Sequence, residues 1–394
     1  MKKIFTLAAA SFLAAGALNA QAQVVLDGQL TAAEITAGNY VLLGKFTNPR
    51  GFGDAGLLSL YAASTSTKMY FFVGGTVEAN GNAFQLYLDL PGAAGVPVGT
   101  ALPAGAATTS FQNVTAKLDL AADLALALRS DGTGYQIEGA YYTSPTIGGS
   151  AKLTTTAGTV AGNGTPLALS AGTTTGNYAR LAGARVSYRV AATPGVSGNP
   201  GNTRIAGPPP SFPASYGGVG SFGWEIELDR TTAGLTGTPQ VSMFVIQNGG
   251  DGGYMSSDFI PQTSAPLTTN NGNLASGAFD FSTLPDRQAA TVLLSATGTV
   301  LANKAADAAA VAMSVYPNPA QGVATVAYNV AGRAEQVNIV LTDLLGRQVQ
   351  VLESGLRSSG AQTTTVSTAD VAAGTYLVRV QVGDKVATSK VVLM

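Results

Sequence analysis

A chain of 394 residues exceeds the about 250–300 residues at which a single hydrophobic core stops growing, so two domains are expected. Charged residues make up 11% of it, and 21 Lys and Arg nearly cancel 22 Asp and Glu; the net charge of −1 leaves no basic field to hold nucleic acid or an anionic membrane. The sequence holds no His and no Cys, which excludes a Ser-His-Asp triad, a thiol nucleophile, an imidazole or thiolate zinc site, a His- or Cys-ligated haem and any disulfide, and leaves chemistry to carboxylates, Tyr, Lys, Ser or Thr.

Residues 1–22 read as a cleaved signal peptide. Lys2 and Lys3 supply a positive start, "IFTLAAASFLAAGAL" (4–18) an apolar run, and Ala20-Gln21-Ala22 the small-residue cleavage site, with Gln23 as the mature start. The run is shorter than the about 20 residues of a membrane span, no Cys follows it to carry a lipid, and no later segment is long and apolar enough to cross a bilayer.

Residues 23–294 read as strands separated by turns. In "AFQLYLDL", Phe84, Leu86, Leu88 and Leu90 alternate with Gln85, Tyr87 and Asp89, the period of a strand with one core face and one wet face. "DLALALRSDGTGYQIEGAYY" reads as a hairpin turning at 130–134. A helix over 117–128 also fits Leu120, Leu124 and Leu128, and the Asp-Gly turn favours the strand. "MYFFVGG", "ARVSYRVAA", "GWEIELDR" and "PQVSMFVIQNGG" are further strands, and the Gly-, Thr- and Pro-rich stretches 154–177 and 193–218 are loops. Many short strands without alternating helices predict an all-β chain: a large antiparallel β-sandwich, jelly-roll-like, then a small immunoglobulin-like β-sandwich. The Ala-rich stretch 295–313 is the expected linker. Residues 314–394 form the second domain, with hairpin turns at 344–347 and 383–385.

Three features of the first domain could carry chemistry. Exposed aromatics (Tyr61, Tyr70, Tyr87, Tyr142, Trp224, Tyr254) could stack on sugar faces, although Trp224 alternates with Ile226 and Leu228 as a core residue does. "NGGDGGYMSSD" gathers Asn248, Asp251 and Asp258 among permissive glycines, as Ca²⁺ loops do. It has neither EF-hand spacing nor a bidentate Glu, and a plain Gly-rich turn accounts for it with no cofactor. Glu225, Glu227 and Asp229 lie two apart on one strand face, at a spacing of about 6.7 Å. That falls between the retaining (about 5–5.5 Å) and inverting (about 6.5–9.5 Å) carboxylate separations of glycosidases, and a solvated strand face explains the same row.

"LDGQLTAAE", the stretch from "GFGDAG" to "LYLDLPG", "GWEIELDR" and "GGYMSSDFIPQ" are similar to secreted bacterial β-sandwich proteins reminiscent of DOMON-like and family 9 carbohydrate-binding modules. The resemblance implies a fold and names no ligand. The acidic row is also similar to the Glu-x-Asp-x-(x)-Glu strand of laminarinase-like jelly-roll hydrolases, with Glu and Asp exchanged at its second and third places. The expected function is a noncatalytic binding (polysaccharide) or structural and adhesive module, with a carboxylate-based glycoside hydrolase as the alternative.

The final domain carries the most specific resemblance. "SVYPNPAQGVATVAYNV", "VNIVLTDLLGRQV" and "DVAAGTYLVRVQVGDKVATSKVVLM" resemble the type A C-terminal sorting domain of the type IX secretion system of Bacteroidota, over about the last eighty residues. The resemblance implies export across the outer membrane, the secretion machinery and its sortase-like peptidase as partners, and an extracellular or outer-membrane-surface location. The motif falls on Tyr316, Pro317, Asn318, Pro319, Gly346, Arg347, Gly374, Tyr376 and Lys390. Pro317 and Pro319 are expected to stiffen the approach to the first strand and Gly374 to bend the chain before Tyr376. The last hairpin is expected to offer a receptor unpaired edge groups.

Overall fold

A computed structural model describes residues 24–36, 40–46, 56–77, 81–130, 134–154, 159–190, 217–263, 274, 277–285, 287–296, 298, 300–302, 311–330, 334–343, 348–367, 369, 371–382 and 385–394. The expected signal peptide, most of the loop 193–218, and the turns 131–133, 344–347 and 383–384 lie outside the described residues. The chain is all-β and its sheets are antiparallel.

The first fourteen strands are β1 (Val41–Lys45), β2 (Gly56–Ser64), β3 (Lys68–Thr76), β4 (Ala83–Asp89), β5 (Leu124–Ser130), β6 (Tyr135–Ser144), β7 (Ile147–Lys152), β8 (Leu167–Ala168), β9 (Arg185–Tyr188), β10 (Gly223–Asp229), β11 (Gln240–Asn248), β12 (Met255–Ile260), β13 (Ala290–Leu294) and β14 (Val300–Ala302). They form one sheet in the order β1-β2-β3-β10-β9-β8 and a second in the order β14-β13-β11-β4-β5-β6-β7, with β12 also on β11. The alternating residues explain why the two sheets stack. Leu60, Phe71, Val73, Trp224, Ile226 and Leu228 from the first meet Phe84, Leu86, Leu88, Leu126, Val241 and Val245 from the second in one buried cluster. Each such side chain contributes about 1.5–3 kcal/mol of burial before conformational entropy is counted. β5 and β6 pair as the expected hairpin, Leu124 opposite Tyr141 and Ser130 opposite Tyr135, and residues 117–123 form no helix.

The outer face of β4 is not wet. The long connection from β4 to β5 crosses it, and Val96, Leu102, Phe111, Val114 and Leu118 pack with Phe281 on Tyr87, Ala125, Ala127, Tyr142 and Phe244. Gln85 and Tyr87 are buried as a result, and only Asp89 on that face stays half-exposed. A second departure is β14. It pairs with β13 inside the stretch expected as linker, so the front sheet reaches Ala302.

Residues 314–394 supply β15 (Ser314–Tyr316), β16 (Val323–Val330), β17 (Glu335–Thr342), β18 (Gln348–Arg357), β19 (Gly360–Ser367), β20 (Gly374–Val382) and β21 (Lys385–Leu393). These make the sheets β15-β16-β19 and β18-β17-β20-β21. Val326, Tyr328 and Val366 of one sheet meet Val337, Ile339, Leu341, Val378, Val380 and Val391 of the other in a cluster that begins at Val311 and takes no residue from the front sheets. The Tyr328 hydroxyl, carried into this core, donates to Glu353, which pairs with Arg357.

Candidate functional site

β10 lies between β3 and β9, so every second side chain leaves the inter-sheet core on the far face of the first sheet. Trp224, Ile226 and Leu228 are in the core, and Glu225, Glu227 and Asp229 share the other side, as a strand's two-residue period requires. That side is covered. Val24, Leu30 and Tyr40 form an apolar cap over it, packed on Tyr61, Tyr70 and Phe72 of β2 and β3 on the same face, with Tyr40, Tyr61 and Phe72 edge-to-face at centroid distances of 6.1–6.4 Å.

Glu225 is fully buried beneath the cap. The N–H groups of Asp27 (2.8 Å) and Gly28 (2.7 Å) donate to its Oε2, and the Tyr40 hydroxyl (2.7 Å) donates to its Oε1. Burial pushes the Glu225 carboxyl up to about 8; the donors from Tyr40, Gly28 and Asp27 pull it down, and nearby Glu34 pushes it further up. Gly28 is required there. Its φ is +70°, and a Cβ would stand 2.6 Å from the backbone nitrogen of Arg189. The same N-terminal strip is held by Glu34, which accepts from Val25 and Thr31 N–H (both 2.9 Å) and closes a capping box on the helical turn α1 (Ala32–Thr36).

Glu227 and Asp229 are engaged differently. Glu227 is 6% exposed and lies between Lys68 (3.9 Å) and Arg185 (3.7 Å), with the Tyr70 hydroxyl bonded to it. Asp229, half-exposed, accepts from Thr232 N–H (3.0 Å) and pairs with Lys68 (3.4 Å), which holds its carboxyl below the usual range. The three carboxylates therefore line up as expected, and the solvated face expected for them is instead a buried, fully bonded one for Glu225 and Glu227.

The aromatic candidates are placed in cores. Tyr61, Tyr70, Tyr87, Tyr142 and Trp224 are each at most 5% exposed: Trp224 lies between the sheets, Tyr61 and Tyr70 on the covered face of the first sheet, and Tyr87 and Tyr142 under the β4–β5 connection. The Tyr61 hydroxyl donates to Gly217 O (2.8 Å), and Tyr87 stacks on Tyr142. Tyr254 is half-buried. Asn248 is buried and donates to Gln85, Asp258 is buried on β12, and Asp251 is exposed, accepting from Gly253 N–H (2.9 Å) and Asn113 (3.1 Å). Among the described residues no group of three acidic, His or Cys side chains is placed to hold a metal ion.

In the last domain part of the motif, Asn318 and Lys390, meets at the β21 edge of one sheet, while Gly374 and Tyr376 lie on the interior strand β20. Pro317 and Pro319 follow β15 instead of preceding the first strand, and carry Asn318 alongside β21. Asn318 donates to Lys390 O (2.7 Å) and accepts from Val392 N–H (2.9 Å); Ala320 N–H donates to Val392 O (2.8 Å), and Ala320 O accepts from Met394 N–H (2.9 Å). Since Val392 turns both backbone groups outward, Thr388 and Lys390 do so too, by the alternation of an antiparallel pair. The Asn318–Ala320 segment thus pairs the distal end of this edge, and among the described residues none pairs with the outward backbone of Thr388. Gly374 opens β20 directly after a bend at Ala373, and its missing side chain makes room for the Tyr376 ring, 3.3 Å from where a Cβ would stand; the Tyr376 hydroxyl donates to Ala372 O (2.8 Å). Gly346 and Arg347 lie outside the described residues.

Comparison with solved structures returns a biofilm-associated protein BSP domain (8% identity, TM-score 0.19, 91% of this chain and 52% of that one). It also returns the dimeric latent PorU of Porphyromonas gingivalis (10% identity, TM-score 0.17, 90% and 34%). The chain spans about half and a third of their lengths. No curated protein sequence matches it. The family model described as the secretion system C-terminal sorting domain matches residues 314–394, and that stretch of the chain is a type IX sorting domain.

Proposed function

We propose that the front sandwich is a noncatalytic passenger, a polysaccharide-binding or adhesive module, delivered outside the cell by its sorting domain. The sorting domain implies engagement by the type IX machinery and secretion to the cell surface or beyond; processing by its sortase-like peptidase belongs to the same reading. The observation that carries the noncatalytic part is the state of Glu225. A glycosidase needs two carboxylates that reach the sugar, one to give a proton and one to attack or to activate water. Glu225 is wholly enclosed and spends both oxygens on backbone and tyrosine donors, and Glu227 is held between two cations.

The test is a polysaccharide panel assayed with wild type and Glu227→Gln, with pull-down on the same insoluble polymers. The expected result is no released sugar from either protein and retention of both on at least one polymer. Hydrolysis by wild type that Glu227→Gln loses, at unchanged thermal stability, would overturn the noncatalytic reading.

A further inference from the structure

A cavity of about 210 Å³ lies between the loop after β4, the start of β5, β6 and the 3-10 turn Gly176–Leu181, and Asp123, Tyr141, Asn177 and Arg180 line it. Exposed Ala94, Thr143 and Asn177 border it, so it communicates with solvent. None of its residues belongs to the acidic row or to the sorting motif.

Asp123 is the unusual member. It is 7% exposed; its Oδ2 accepts from Leu90 N–H (2.7 Å), and its Oδ1 has no partner among the described residues. Burial pushes its carboxyl up to about 7, against the pull of the Leu90 N–H and of Arg180, while Asp89 pushes the same way as burial. A buried oxygen left unbonded costs about 1–3 kcal/mol, which a ligand hydroxyl can recover. Arg180 is pinned beside it: Nη1 donates to Pro91 O and Ala233 O, and Nη2 to Pro91 O, all at 3.2 Å. Among the described residues, one Nη2 hydrogen and the Nε hydrogen have no acceptor. Tyr141 supplies an apolar wall. Gly149 lies against its ring, where a Cβ would be 3.0 Å from a ring carbon, and Tyr178 meets the ring edge-on at 5.5 Å.

This pairing selects the ligand's charge. A cation would be drawn to Asp123 and repelled by Arg180, and an anion the reverse. A neutral molecule with adjacent hydroxyls donates to one and accepts from the other, and lays its C–H face on the tyrosine. The volume is below the about 300–1,000 Å³ of drug-sized sites, which suits a single ring. We propose that this cavity binds one neutral sugar ring, held by hydroxyls on Asp123 and Arg180 and packed against Tyr141. The assignment rests on the polysaccharide-binding reading above and gives it a location.

The test is calorimetric or NMR titration of the full mature chain with D-glucose, D-galactose, D-mannose and N-acetyl-D-glucosamine, and with D-glucosamine and D-glucuronate as charged probes. Asp123→Asn keeps an acceptor for Leu90 N–H, and Tyr141→Leu removes the aromatic wall while keeping an apolar side chain against Gly149 and Tyr178. One neutral sugar is expected to bind with a Kd of about 1 mM, and each substitution is expected to weaken it at least about tenfold at an unchanged unfolding midpoint. Saturation by none of the neutral sugars, preference for a charged probe, or wild-type affinity in Asp123→Asn would overturn the proposal. A polysaccharide pull-down of the same proteins separates the two readings. Retention of Asp123→Asn as strong as wild type sinks the cavity and leaves the binding module standing, and retention of neither sinks both.

Discussion

A chain ending at Ala302, with the signal sequence expected at 1–22 intact, is expected to fold and to remain in the periplasm. The three buried clusters of the front sandwich draw on residues no later than Val300, and the cluster of the last domain begins at Val311. Removing the last domain therefore takes no side chain from the front core, and the unfolding midpoint of the truncated passenger should lie within a few degrees of that of the passenger in the full chain. Loss of surface delivery should by contrast be complete, because residues 314–394 are the sorting domain. Cell fractionation with immunoblotting, beside a thermal melt of the purified truncation, reads both quantities. Undiminished export would place the address elsewhere, and a collapsed melt would show that the two sandwiches depend on each other.

Glu225→Ala is expected to lower the passenger's stability by at least about 3 kcal/mol, a midpoint drop of about 6–12 °C for a body of this size. Three donors, Asp27 N–H, Gly28 N–H and Tyr40 O–H, lose their acceptor in a place water does not reach. The wild-type carboxyl also makes a pH dependence of definite sign. Folding raises it from the ordinary 4.5 to about 8, so the folded state prefers the neutral acid. The stabilisation is complete below about pH 4.5 and is lost as pH rises through about 8. Glu225→Gln keeps an acceptor for the two N–H groups and can donate to Tyr40, so it should remove Glu225's share of this slope, leaving the smaller share of Asp123, while losing less than the Ala variant. Denaturant melts at pH 5 and pH 8.5 for the three proteins check this, and a wild type more stable at the higher pH, with the slope unchanged in Gln, would contradict it.

Much of the fold was legible because strand periodicity is local. Phe84, Leu86 and Leu88 announce a core face in five residues, and "GWEIELD" coincides with β10 from end to end. What covers the opposite face was not legible, since it depends on segments distant in sequence. The β4–β5 connection reads as a loop, and only folding shows Phe111 and Val114 lying on Tyr87 and Tyr142. The burial of Tyr61, Tyr70, Tyr87 and Tyr142 was hidden for that reason. The burial of Glu225 was hidden in the same way. Its partner is the Asp27-Gly28 phrase, nearly two hundred residues upstream, and a buried carboxylate bonded to backbone N–H groups leaves no periodic mark in either segment. The Asp-Gly phrase and the "WEIEL" strand were both recognised, yet nothing in the sequence joined them. Asp123 and Arg180 passed unnoticed because each adjoins a stretch with a stronger signal, Asp123 just before the Leu124–Leu128 alternation and Arg180 just after the Thr- and Gly-rich loop 154–177. The sorting domain was the reverse case: its motif residues carry the assignment, and folding shows that Asn318 closes the edge they define.

Sufficiency is the most direct measurement of the central claim, that export is written in the last domain and not in the passenger. Residues 303–394 joined to a signal sequence and an unrelated monomeric fluorescent protein, expressed in a Bacteroidota host with a working type IX system, are predicted to bring the fluorescence to the cell surface or medium. In the same host with that system disabled the fusion should stay in the periplasm. Periplasmic retention in both hosts would contradict the account.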